Sequence, residues 1–272
     1  MSHLKTVIIY GTFAAGLLLL GGAVLGQQGS LGYEDTPMQP NGRWHVHDPK
    51  RPQPPIVTPG RGNITPMPGP SDAVVLLGAG SDLNAWQMMD GSPATWVMKD
   101  GVVETGKGVM RTKAEFTDFQ LHVEFATPGV VKGSSQERGN SGVFLLGKFE
   151  IQVLDSYQNL TYPDGQASAM YGQYPPLVNA SRPPGEWQTY DIAFTAPRFT
   201  AANTVDKPAV VTVLHNGILV HSATPFWGPT AHRKIEAYTP DTAKGPLALQ
   251  DHGNPVRFRN VWIRTLKGYD ER

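Results

Sequence analysis

The chain has 272 residues, no cysteine, and 23 Lys+Arg balanced by 23 Asp+Glu. Zero net charge leaves no basic field to attract nucleic acid or anionic lipid. Without cysteine there can be no disulfide, no thiolate nucleophile and no thiolate metal site.

Residues 1–26 read as an export signal. Lys5 and His3 give a short basic start, an apolar run follows, and small residues close it around Ala23 and Gly26, either of which suits cleavage. The apolar run is short of the roughly 20 residues that span a bilayer. The expectation is a periplasmic or extracellular protein with no membrane span in its mature chain. Residues 27–71 carry 10 of the 24 prolines. Pro52, Pro54, Pro55, Pro66, Pro68 and Pro70 exclude a helix or a central strand, so this stretch is a linker or a wrapping arm, disordered or extended. Trp44, Val46 and Val57 are the residues that could pin it to a domain surface. Residues 72–267 form one β-sandwich domain, and 268–272 a tail.

Beyond residue 72 the apolar period is two. Phe119, Leu121, Val123 and Phe125 alternate with Gln120, His122 and Glu124, as in a strand with one buried face. Residues 141–146 and 149–154 form a hairpin through Gly147 and Lys148. Residues 189–196 bury Tyr190, Ile192 and Phe194. Residues 209–214 and 218–221 flank Asn216-Gly217, the pair a type I′ turn favours; His215 and His221 beside it read as surface residues. Residues 246–250 and 256–266 complete the set. In the last of these Val256 and Phe258 face inward, then Val261 and Ile263, and the slip predicts a bulge near Asn260. No long amphipathic helix is visible. The class is all-β, a two-sheet antiparallel jelly-roll sandwich whose concave face can take a sugar chain. Three long loops, 127–139, 156–182 and 223–239, are the places for function. The middle one carries Tyr157, Tyr162, Tyr171 and Tyr174, which suit the C–H faces of pyranose rings or simply pack the loop.

Period two places Glu150 and Gln152 on one strand face and Ile151 and Val153 on the other. That polar face lies either in solvent or in a cleft. A sandwich glucanase would need a second acid two residues on, because retaining hydrolysis uses paired carboxylates. Leu154 stands there, and Asp155 points away unless a bulge rotates it. A second group is Gln250-Asp251-His252, between two strands. His is matched to proton transfer near neutral pH, and Asp251 or Gln250 could orient its ring. There is room for a hard divalent cation such as Ca on carboxylate and carbonyl oxygens, with no ligand set legible; no other cofactor is indicated.

Five stretches occur in order: Gly139-Asn-Ser-Gly-Val-Phe-Leu145, Phe149-Glu-Ile-Gln-Val-Leu-Asp155, Arg182-Pro-Pro-Gly-Glu-Trp187, Leu214-His-Asn-Gly217 and Leu249-Gln-Asp-His-Gly253 with Phe258-Arg-Asn-Val261. Together they resemble the 3-keto-disaccharide hydrolase family, formerly a domain of unknown function, over about residues 73–266. The family usually has Tyr where this chain has Phe149. The resemblance implies a concanavalin A-like lectin/glucanase fold and a 3-keto-glycoside or oligosaccharide substrate. The acidified C2 proton of such a sugar needs one base. The enolate then expels the C1 group by β-elimination, and water adds back, so the missing second carboxylate is no obstacle. On this reading Glu150 or His252 is the base and Asp251 orients His252. Arg138, Asn140, Gln152 and Gln250 bind hydroxyls or the 3-keto oxygen, and Asp155 and Arg182 complete the substrate-binding set. The competing class is a non-catalytic carbohydrate-binding module; a weaker third is a cell-surface structural domain docking through Trp44, Trp187 and Trp227. The oligomeric state is not legible.

Overall fold

The structure, a computed structural model, describes residues 31–60 and 65–270, so the expected export signal lies outside the described residues. The strands are β1 Val74–Leu77, β2 Trp86–Met88, β3 Val97–Lys99, β4 Val102–Glu104, β5 Val109–Thr112, β6 Phe119–Ala126, β7 Ser141–Leu145 and β8 Phe149–Val153, followed by β9 Gln188–Thr195, β10 Arg198–Phe199, β11 Val205–Lys207, β12 Val210–His215, β13 Ile218–Pro225, β14 Ala248–Gln250 and β15 Arg257–Thr265. An eight-stranded antiparallel sheet runs β13-β12-β9-β6-β15-β4-β3, with β1 also on β15, and a five-stranded sheet runs β2-β5-β14-β7-β8. Among the described residues no helix is long and apolar enough to cross a membrane.

The two sheets face each other across one apolar core. Phe119, Leu121, Val123, Phe125, Ile192, Phe194 and Phe258 of the large sheet meet Val143, Leu145, Phe149, Ile151 and Val153 of the small one. Each such side chain contributes roughly 1.5–3 kcal/mol on burial, and together they offset the chain entropy without a disulfide. Tyr190 ties the layers further, its hydroxyl donating to the Gln152 carbonyl at 2.7 Å. Asn216 and Gly217 both take positive φ, 53° and 79°, as the type I′ hairpin requires. The bulge near Asn260 is present: Asn260 has φ 47°, and the β15–β6 register slips between Arg259 and Trp262. It lets one long strand pair with β4 before the slip and with β1 after it.

The outer face of β6 departs from the simple alternation. His122 and Glu124, expected in solvent, are buried. Trp262, shifted in phase by the bulge, stacks on the His122 ring at 5.2 Å. His122 Nδ1 lies 2.6 Å from Asp191, and Arg259 Nε donates to Glu124 at 2.7 Å. Burial alone would raise the Glu124 carboxyl, but hydrogen bonds from His122, Asn260 and Arg259 outweigh it and hold it down to about 2. Burial likewise works against a charged His122, but Asp191 and Glu124 pull the imidazole up to about 9. The depressed Glu124 therefore stabilises the fold fully above its ordinary range near 4.5, and that stability disappears as pH falls through about 2. Glu124→Gln is expected to cost on the order of 2–3 kcal/mol at pH 7, a gap that narrows towards pH 2. Urea titrations across that range check it; a constant gap disproves it.

The arm wraps the domain. Val46, His47 and Asp48 are buried, whereas Val57 is exposed and Trp44 only half-buried. Ile56 bridges to Asn179 as a short parallel pair.

Candidate active site

β8 carries the decisive residues. Ile151 and Val153 enter the core, while Glu150 and Gln152 take the opposite, concave face, as their alternation requires. That face is neither solvated nor open. The middle loop returns alongside β8 and pairs with it: Gln152 N–H donates to Ala169 at 3.0 Å and Tyr171 N–H to Glu150 at 3.2 Å. A pocket of about 510 Å³ remains, enclosed by this loop, the last long loop and the arm.

Glu150 lies in the floor of that pocket, only 6% exposed. Its burial pushes the carboxyl up to about 8. The Gln152 amide packs beside it, one end 2.8 Å from the Ser141 carbonyl and 3.1 Å from Glu150 Oε1, the other 2.9 Å from Gln136 Oε1. Gly142 on β7 makes the space: a Cβ there would collide with Glu150 Oε1 and sit 2.8 Å from the Phe144 ring. The Glu150 N–H donates to Thr230 Oγ1 at 2.9 Å, which fixes the last long loop at the start of β8.

Of the residues expected from sequence, the structure brings Glu150, Gln152, Asn140, Gln250 and His252 to this one pocket. His252 is exposed at its rim. Asp251 does not orient that ring. Its carboxylate accepts from Gly253 N–H in its own loop at 2.7 Å and from Gly108 N–H, in the turn between β4 and β5, at 3.3 Å. Arg138 and Asp155 pair with each other at 2.6 Å beside the pocket, in a neighbouring cavity of about 470 Å³. Arg182 is on the far side, among His122, Glu124 and Trp187 of the large sheet's outer face, its guanidinium donating to the Gly60 carbonyl at 2.6 Å. His215 and His221, expected at the surface, are buried. They bond Gln188 and the Ser168 carbonyl, each at 2.9 Å, and burial lowers their imidazoles to about 3 and about 4.

Sequence reasoning missed Tyr33, Gln136 and His232, which also line the pocket, and gave Tyr162 and Tyr171 no definite role. Tyr162 and Tyr171 share a hydroxyl hydrogen bond of 2.8 Å, and the Tyr171 hydroxyl continues to His232 Nδ1 at 3.0 Å. Behind these rings the arm inserts His47, 4.1 Å from Tyr162 and 4.8 Å from Tyr171 between centroids. Its Nδ1 is 3.0 Å from the buried Asp164 carboxylate. Arg233 lies 4.2 Å over the Tyr33 ring and pairs with Asp35, which clamps the arm to the last long loop. The only sequence signal for this assembly was aromatic and His content on both sides of the Pro-rich stretch. Among the described residues no group of three or more His, Cys, Asp or Glu side chains is placed to hold a metal ion.

The arrangement offers one raised carboxyl, amides that can hold hydroxyl or carbonyl oxygens, and aromatic walls. Residues 72–264 match the profile of the 3-keto-alpha-glucoside-1,2-lyase-like domain. The chain is 43% identical to a candidate glycosyl hydrolase from Parabacteroides distasonis of known crystal structure, with a TM-score of 0.68, covering 79% of this chain and 93% of that one. A second such structure from the same organism is 22% identical at a TM-score of 0.52, covering 72% and 94%, and supports the fold. A 3-keto-disaccharide hydrolase of Bacteroides thetaiotaomicron is 24% identical over 256 residues, 74% of this chain and 81% of that protein.

Proposed function

From the premise that this chain belongs to the 3-keto-alpha-glucoside-1,2-lyase-like family, we propose that it cleaves 3-keto-glycosides, 3-keto-disaccharides among them, with Glu150 as the base. The observation that carries this reading is a single carboxyl, raised by burial, in a pocket of amides and aromatic rings. The 3-keto group acidifies C2–H, and Glu150 takes that proton. The resulting enolate oxygen needs hydrogen-bond donors. Gln250, whose amide lines the pocket, supplies them; the amides of Asn140 and Gln152 are already engaged with Gln136. Re-forming the C3 carbonyl makes the C1–C2 double bond and breaks the bond from C1 to the glycosidic oxygen, which takes a proton from water at the rim. Water then adds to C1, C2 regains a proton, and the net reaction is hydrolysis. A carboxyl raised to about 8 is a stronger base than an ordinary one once ionised.

A sugar-binding module on the same fold is the other reading. It gains nothing from a buried carboxyl whose ionisation the pocket opposes, and that favours the enzyme. The composition of residues 1–26 supports a location outside the cytoplasm; the mass of the mature protein from the cell envelope checks this.

Cleavage of a 3-keto-glucoside in D2O is expected to place deuterium at C2 of the released sugar, because the base exchanges its proton with solvent. Protium retained at C2 points to direct displacement and removes the mechanism. The rate constant kcat/KM is expected to climb about tenfold per pH unit and to level above about pH 8, where Glu150 is ionised. A profile that falls across this range makes Glu150 the acid instead.

A further inference from the structure

A second cleft of about 580 Å³ opens beside the Glu150 pocket and shares three of its lining residues, Tyr33, Gln136 and Tyr162. The two adjoin along these three residues. The other walls of the cleft are Leu31 and Gly32 of the arm, the 134–138 turn and residues 158–160. The arm precedes the segment that matches the family profile, which begins at residue 72. This wall is thus added by the chain's own N-terminal segment.

The floor is built rigidly. Ser135 Oγ donates to Thr161 Oγ1 at 2.8 Å, Ser135 N–H to Asn159 Oδ1 at 2.9 Å, and Gln136 Nε2 to both Thr161 Oγ1 and the Gly165 carbonyl at 2.9 Å. Gln53 of the arm donates to the Thr161 carbonyl at 2.8 Å and accepts from Gln166 at 3.0 Å. Three chain segments are locked together here, so the cleft is preformed. Its chemistry is mixed. The Tyr33 and Tyr162 rings and exposed Leu160 give apolar faces, and exposed Gln158 gives an amide. Glu137 is the one uncompensated charge on these walls, because Arg138 is paired with Asp155. A neutral pyranose has this same alternation of C–H faces and hydroxyls; a flat aryl group would leave the amide and charge unmatched, and a uronic acid would face Glu137.

We propose that this arm-walled cleft is the subsite for the leaving sugar, so that the enzyme selects glycosides whose departing group is a neutral pyranose. The inference rests on the reaction proposed above, with the glycosidic bond lying over the Tyr33–Gln136–Tyr162 junction. Binding energy from a remote ring then serves the step at C1.

The test compares kcat/KM for a 3-keto-disaccharide with that for methyl 3-keto-glucoside, in wild type, Gln158→Ala and Leu160→Trp. Both side chains are exposed, which spares the fold. Wild type is expected to favour the disaccharide at least ~10-fold, Leu160→Trp to abolish the preference by filling the cleft, and Gln158→Ala to shrink it. A wild-type ratio near one, or equal loss on both substrates in both variants, overturns the proposal. Calorimetric binding of the unoxidised disaccharide separates the two claims. Binding by wild type that Leu160→Trp weakens, in a protein that turns over neither substrate, leaves the subsite standing and removes the catalytic reading. No turnover and no binding removes both.

Discussion

A Glu150→Gln protein is expected to lose at least ~100-fold in kcat on a 3-keto-glucoside and, above pH 6, to be more stable than wild type. Both results have one cause. The pocket raises the Glu150 carboxyl from an ordinary 4.5 to about 8 by withholding water from its charged form. Between those values the unfolded chain releases the proton while the folded chain keeps it, so stability falls as pH rises. At pH 7 the penalty is on the order of 3 kcal/mol by the size of the shift. Gln has the same shape and no proton to lose. The stabilisation by Glu150→Gln should be near zero at pH 4.5, grow to about pH 8 and then level. Thermal melts of both proteins through that range measure it. A pH-independent difference would mean that Glu150 is not desolvated, and an active Glu150→Gln would remove it as the base. His252→Ala, at the exposed rim, is expected to keep a measurable rate.

Asp164→Ala is the second large effect. This carboxylate is fully buried and accepts from His47 N–H at 3.0 Å, Gln39 Nε2 at 3.1 Å and His47 Nδ1 at 3.0 Å, with Arg51 Nη1 4.0 Å away. All four donors belong to the arm. Removing it leaves the His47 N–H and Nδ1 unmatched in the interior, while Gln39 keeps the Gly172 carbonyl and Arg51 keeps Gln39 and the Gln173 carbonyl, at a cost of roughly 3–5 kcal/mol by analogy with broken buried pairs. Asp164→Asn keeps the acceptor oxygen and should cost less than half as much. If the arm builds the site, Asp164→Ala also lowers kcat/KM and exposes bonds within residues 31–60 to protease before the β-sandwich melts. Arm and sandwich melting together, with activity intact until then, contradicts this.

Much of the sheet framework was legible because its signals are local. Asn216-Gly217 specifies its turn without help, and the phase slip around Asn260 appears in the apolar pattern of one strand. The alternation of β8 correctly separated Glu150 and Gln152 from Ile151 and Val153. The short strands between residues 74 and 112 were not legible, since β2 to β4 have only three residues each, too few to show a period. Burial of polar side chains was the other gap. His215 and His221 flank a surface turn, yet the groups that cover them, Gln188 and Ser168, are 27 and 53 residues distant. Asp251 next to His252 suggested a pair, but an Asp two residues before Gly253 bends to its own backbone more readily than to a neighbouring ring. The Pro-rich segment was read for what it cannot form, and composition gave no hint of what His47 would reach.

The clamped arm also sets an order of events. Gln39 bonds Gly172, 133 residues later, and Arg233 bonds Asp35 across 198. During synthesis the arm emerges before its seat, which is made of residues 164–172 and 233. Loop-closure entropy over such spans makes this docking a late step for any chain that starts from the ribosome or from a translocation pore. A nearly finished molecule would therefore hold a formed sandwich and an unwalled cleft, so maturation into a working catalyst waits on a segment made before the sandwich itself.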